Sequence, residues 1–172
     1  LLERLHEPSC RQKWASYIKE GEPRGECLEG EAPCPVSDLS FALGAKSLSR
    51  YEFRYRLVEA HDLQVSHDPF TFVPNPKYPQ ELQPRDRSRA ADQAQVITFA
   101  AKLNTEALLT EFHSIDRGAP IIGKDLITES GNGRVMAIQR AITEHPEEYR
   151  KYLDALKEAV PKFAIPLTEL AK

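Results

Sequence analysis

The 172-residue chain contains one tryptophan, one methionine and three cysteines. It contains no run of about 18 apolar residues, so nothing in it reads as a membrane-spanning helix. Cys10, Cys27 and Cys34 are an odd number of thiols, which excludes a closed disulfide framework and argues for a reducing, cytoplasmic compartment. They also lack a C-x-x-C knuckle. With His6 nearby a zinc site is conceivable in composition, but unpaired thiols are the simpler reading, and no metal-ligand set is assigned. Charge of one sign is scarce too. Lys and Arg number 23 against 26 Asp and Glu, a formal net charge of -3, which excludes a globally basic surface. Any contact with nucleic acid must be local. The start, Leu1-Leu2-Glu3-Arg4, is neither a signal peptide nor an initiator, so the expectation is a piece of a larger parent polypeptide. No internal repeat or low-complexity tract is present. A content of 41% hydrophobic and 28% charged residues is ordinary for a globular chain, and the length suits one domain with an appendage.

Residues 1–50 hold a short helical possibility around Arg11 to Glu20, then Gly21, Pro23, Gly25, Gly30, Pro33 and Pro35, which read as loop. From Tyr51 to Leu57 apolar and charged residues alternate, the signature of a half-buried strand. The stretch His67 to Pro84 carries prolines at 69, 74, 76, 79 and 84, which exclude a helix interior and predict an extended surface loop. Its aromatics Phe70, Phe72 and Tyr78 read as packing, with base stacking as the alternative.

Asp86 or Ser88 is placed to cap a helix reaching about Leu103, with Ala94, Ile97 and Ala101 on one face and Val96, Phe99 and Ala100 widening it. A second helix is predicted from Thr105 to about His113, directing Leu108, Leu109 and Phe112 inward. Ile121-Ile122 and Leu126-Ile127-Thr128 read as a hairpin turning at Gly123-Lys124-Asp125. Beyond Gly133, Val135, Ile138 and Ile142 fall at helical spacing. Pro146 opens a last helix with a stripe of Tyr149, Tyr152, Leu153, Leu156 and Val160.

One arrangement points to chemistry. A strand, then Glu129-Ser130-Gly131-Asn132-Gly133-Arg134, then a helix would let backbone approach an anion at a helix N-terminus, with Arg134 as a forked cation. Phosphate is the natural ligand. A tight strand-to-helix turn with a solvated Arg134 is the bland alternative, because short Gly-x-Gly motifs are weak alone. The cluster Arg85-Asp86-Arg87-Ser88-Arg89 reads either as a phosphate contact or as a solvated turn. Asp86, Asp125 and Glu129 are candidates for a divalent cation, though Asp125 also suits a turn and Glu129 a strand end.

The order of these pieces resembles the ParB/sulfiredoxin superfamily, and in particular the divergent ParB-like domains of large phage and mobile-element proteins (DdrB-like). The resemblance runs over roughly residues 55 to 142. It rests on Arg56 to Leu63 as a strand with a short turn, on Gln83-Pro84-Arg85 closing the proline stretch, on Ser114 to Ile122, and on the box Gly131-Asn132-Gly133-Arg134 followed by Ala137. It implies a nucleoside triphosphate, CTP among the candidates, with Mg2+, or a nucleic-acid phosphate, lying against Gly131, Asn132, Gly133 and Arg134, with Gln83 and Arg85 nearby. Typical partitioning members carry Glu and a second Arg where Asn132 and Gly133 stand, so the hydrolytic role of that Glu does not transfer. Their Glu-Asn-x-Gln-Arg motif has no match in His145 to Lys172, and the reactive cysteine of sulfiredoxins is absent from the box.

The expectations are therefore an α+β fold, with a loop-rich extension over 1–50 and a ParB-like domain over 51–172 ending in a C-terminal helix. A small mixed sheet covered by helices should bury Leu57, Ile97, Leu108, Ile121, Ile127, Ile138 and Leu153. The leading function is nucleotide or polyphosphate binding in a DNA-related protein, with nucleotide and DNA as partners. A metal-dependent nuclease or NTPase is one alternative, with catalytic residues unassigned. A non-catalytic interaction scaffold is the other.

Overall fold

The computed structural model describes residues 2–6, 40–43, 50–82, 87–163 and 165. Five strands form one mixed sheet: β1 (Leu2–His6), β2 (Ser40–Leu43), β3 (Arg50–Leu57), β4 (Ile121–Ile122) and β5 (Thr128–Ser130), in the order β2-β3-β1-β4-β5. The β1 and β4 strands run parallel and the other neighbours antiparallel. Four α-helices accompany them among the described residues: α1 (Ala90–Ala101), α2 (Thr105–Leu109), α3 (Asn132–Glu144) and α4 (Pro146–Ala159). The α+β architecture agrees with the sequence. Within the first fifty residues the described segments are β1, β2 and the start of β3, and β1 and β2 flank β3 in the sheet; the rest of the expected loop-rich extension lies outside the described residues.

Alternation along β3 works as expected: Phe53 and Tyr55 are buried at 1% and 7% exposure, and Arg50 and Arg56 face solvent. The centre of the fold is α3, whose Val135, Met136, Ala137, Ile138 and Ala141 are all fully buried. On one side α3 packs along α1 and on the other on α4, whose Tyr152 and Leu156 form the expected stripe. Pro146 sits in the first turn of α4 with Glu147 and Glu148, which complement the helix dipole; Val160 and Pro161 continue only as a 3-10 turn.

Of the seven core residues expected, Leu108, Ile121 and Ile138 are buried, and Leu57, Ile127 and Leu153 are half-buried. Ile97 is a correction: it is 41% exposed. The α1 helix turns Val96 and Ala100 inward and leaves Ala94, Ile97 and Ala101 to solvent, so the face read as widening is the core face. Arg89 is its N-cap residue, with no side-chain cap bond. The α2 helix stops at Leu109, shorter than the pattern suggested. In the hairpin, Leu126 has a φ of 63°, and the chain at 126–128 bonds first to Gln64, Gln64 N donating to Leu126 O and Thr128 N to Gln64 O, both at 2.9 Å. That competition moves the start of β5 to Thr128 and leaves Ile127 half-buried.

The proline stretch is less superficial than expected. Phe72 and Tyr78 are 8% and 2% exposed and pack inward, whereas Phe70 is 40% exposed. No helix among the described residues is long and apolar enough to cross a membrane. Cys10, Cys27 and Cys34 lie outside the described residues.

Candidate functional site

The glycine box closes β5 and opens α3. Gly131 is the N-cap of α3 with φ 92°, a left-handed conformation that glycine adopts without a Cβ penalty. Its carbonyl accepts from Arg134 N at 2.8 Å and from Val135 N at 3.1 Å, so helical bonding begins there. Gly131, lacking a side chain, supplies no cap bond of its own. The backbone N–H groups of Asn132 and Gly133 fall in the first turn, where a helix supplies them no carbonyl partner and the dipole is positive.

Arg134 folds back over Gly131. A Cβ on Gly131 would stand 2.8 Å from Arg134 Nη2 and 2.9 Å from its Nε. Its Nη1 donates to Gly118 O, and its Nη2 to Ile115 O at 3.4 Å. The forked cation expected to face phosphate thus also straps the 115–118 turn to the start of α3.

Asn132 is 4% exposed, and its side chain is a junction. Its Oδ1 accepts from Ser66 N at 2.8 Å, and its Nδ2 donates to Tyr78 Oη at 2.9 Å and to Thr128 O at 3.2 Å. Tyr78 in turn donates its hydroxyl to Thr128 O. The proline stretch is thereby pinned to the box by polar groups buried out of water, where each bond is costly to lose. Burial pushes the Tyr78 hydroxyl pKa up from its ordinary 10.0; the Asn132 hydrogen bond works against that rise and the charge of Glu129 adds to it.

Arg87 completes the site. It is 5% exposed, and a Cβ on Gly133 would lie 3.2 Å and 3.3 Å from its two Nη atoms. Gly133 is helical, so its glycine identity answers to this close approach of a guanidinium rather than to an unusual dihedral. Gln93 fixes the segment, donating from Nε2 to Arg87 O at 3.2 Å. Sequence reasoning left Arg87 inside a five-residue basic cluster, with no periodicity to say which arginine turns inward.

The structure therefore brings Gly131, Asn132, Gly133 and Arg134 together with Arg87, while Gln83, Arg85 and Asp86 lie outside the described residues. The carboxylates of Asp125 and Glu129 both approach Gly123, where a Cβ would meet Asp125 Oδ1 at 2.5 Å and Glu129 Oε1 at 3.2 Å. Asp125 Oδ1 accepts from Ile127 N at 3.2 Å, a turn role. Among the described residues no three His, Cys, Asp or Glu side chains group in a way that would hold a metal ion. The geometry suits an anion: two backbone donors, a helix N-terminus and two guanidinium groups on a glycine surface. A comparison with family models matches residues 46–170 to the ddrB-like ParB superfamily domain. No curated protein and no solved structure matches the chain.

Proposed function

The chain belongs to the ddrB-like ParB superfamily domain family, and on that premise we propose that it is a nucleotide- or polyphosphate-binding module. In this reading a phosphate rests on the Gly131–Arg134 loop at the start of α3. The observation that carries it is the convergence at the start of α3 of the left-handed Gly131, the backbone N–H groups of the first helical turn and the Arg87 guanidinium, whose two Nη atoms lie 3.2 Å and 3.3 Å from where a Cβ on Gly133 would stand. The backbone N–H groups of Asn132 and Gly133 donate to the phosphate oxygens and Arg87 faces them with a fork. Arg134 contributes charge but chiefly holds the turn. A nucleoside triphosphate, CTP among the candidates, with Mg2+ is the proposed ligand. The bound Mg2+ would supply charge neutralisation between phosphates, and no ligand for it is assigned. A cytoplasmic setting in a DNA-related phage or mobile-element protein, with DNA as a partner, belongs to the same proposal.

Calorimetric titration with CTP, ATP, GTP and inorganic triphosphate, each with Mg2+, tests this. Arg87→Ala and Arg87→Lys should both weaken binding, the first by about tenfold or more, since a hydrogen bond to a charged group contributes roughly 1.5 to 3 kcal/mol. Arg134→Ala should lower the unfolding temperature as well as affinity. Parental affinity in both Arg87 variants, or no binding of any triphosphate, rejects the reading. Phosphate release in the same titration would point to the NTPase alternative. A second reading, a non-catalytic scaffold, draws on Arg134 and Asn132, whose side chains bond within the fold. Absence of binding would select it.

A further inference from the structure

Among the described residues, six large apolar side chains are exposed: Leu43, Phe70, Val73, Leu82, Ile97 and Ile142. Half of them do not lie at random. Phe70, Val73 and Ile142 line one open groove of about 830 Å3 between the 61–76 segment and the C-terminal half of α3. An apolar concentration of this kind marks an interaction surface more often than scattered single residues do.

The groove is held in shape from below. Leu63 and Val65 on its floor are 4% and 6% exposed. Gln139 Nε2 donates to Ala60 O at 2.8 Å and to Leu63 O at 3.2 Å, tying the floor to α3. Arg140 Nη1 donates to Pro69 O at 2.9 Å, and its guanidinium carbon stands 5.6 Å from the centre of the Phe70 ring. A preformed surface lowers the ordering penalty of binding.

Its charge has one sign. The lining contains the carboxylates Asp62 and Asp68 and no Lys or Arg. Behind it, Arg140 is matched by Glu144 at 2.5 Å. Asp68 Oδ1 accepts from Phe70 N, Thr71 N and Thr71 Oγ1 at 2.9, 2.7 and 2.9 Å. The Thr71 backbone bond, ahead of those from Phe70 N and the Thr71 hydroxyl, holds its pKa below the ordinary 3.8. Two histidines line the groove as well: His61, whose Nε2 lies 3.2 Å from Asp62 Oδ1, and His67, which bonds to Ser66 Oγ at 3.0 Å. Ile142 and Thr143 belong to the last turn of α3, where the dipole is negative and favours cations.

We propose that this groove docks a peptide segment of a partner polypeptide whose apolar side chains are flanked by lysine or arginine. The exposed Phe70, Val73 and Ile142 receive the apolar side chains, and Asp62, Asp68 and the end of α3 face the cations. The carboxylates disfavour nucleic-acid phosphate here, so the groove and the Gly131 loop, at opposite ends of α3, suit ligands of opposite charge.

The test is a pair of synthetic peptides with identical leucine and phenylalanine positions, one interspersed with lysines and the other with glutamates, titrated into isotope-labelled protein while backbone amide shifts are followed. The lysine peptide should shift amides of 61–76 and 139–143 saturably and bind about tenfold or more tightly than the glutamate peptide. Val73→Lys combined with Asp62→Lys, both at exposed positions, should retain the parental melting curve and lose about tenfold in affinity, whereas Ile97→Lys on α1 should bind as the parent does. Equal affinity for the two peptides, shifts centred elsewhere, or indifference to the groove variants overturns the proposal.

Discussion

Gly131 has a φ of 92° and Arg134 packed over it, while Gly133 is helical with Arg87 packed over it. The two substitutions to alanine should therefore part company. At Gly131, alanine meets a left-handed backbone costing roughly 1–2 kcal/mol and a guanidinium in the way, so Gly131→Ala should lower the unfolding temperature clearly. At Gly133, alanine gains helix propensity, about 0.8–1.0 kcal/mol, against a few tenths of an ångström of displacement of Arg87. Gly133→Ala should thus keep near-parental stability in a thermal melt while triphosphate affinity falls in calorimetry. Tyr78 offers a pH test. Its pKa is raised mainly by burial, so the folded chain keeps the proton longer than the unfolded chain. That stability is complete below the ordinary tyrosine value of 10.0 and is lost as pH rises through the folded value. Tyr78→Phe should cost about 1–3 kcal/mol at neutral pH, through the partners it leaves at Thr128 and Asn132, and should flatten the alkaline loss in pH-dependent denaturant melts. The part owed to Tyr149, also raised by burial first, should remain.

Among the helices, α3 and α1 illustrate how periodicity succeeds and fails. Val135 and Ile138 were legible because α3 is flanked on several sides and nearly every apolar residue in its first two turns is buried, whichever stripe is chosen. In α1, apolar residues occupy two stripes, and one sequence does not say which meets the core; Val96 and Ala100 do, and Ile97 does not. Ile138→Ala should cost about 2–5 kcal/mol and Ile97→Ala within about 0.5 kcal/mol, and urea unfolding of the pair checks the assignment. The glycine box was legible because a strand, two glycines and a helix start are local in the chain. Arg87 was not, since its burial depends on contact with Gly133, 46 positions along the numbering (133 less 87). The Asn132–Tyr78–Ser66 junction escaped for the same reason: its three members meet only after the proline stretch folds onto α3. Strands β1 and β2 were hidden by the glycine and proline punctuation around them, because their pairing partner, β3, defines them more than their own composition does.

For the whole molecule, α3 is the element that relates everything else. Its N-terminus forms the anion-binding candidate, its middle fills the core, and its C-terminal half walls a groove of opposite charge. The most direct test of the central claim is to follow the backbone amides of Asn132 and Gly133 and the Nε–H of Arg87 while a non-hydrolysable nucleoside triphosphate with Mg2+ is added. The account predicts that these three signals shift together, saturably and at one affinity, with Gln139 and Ile142 unmoved. Signals of Asn132, Gly133 and Arg87 that stay in place at a concentration where the triphosphate binds elsewhere, or does not bind at all, would contradict it.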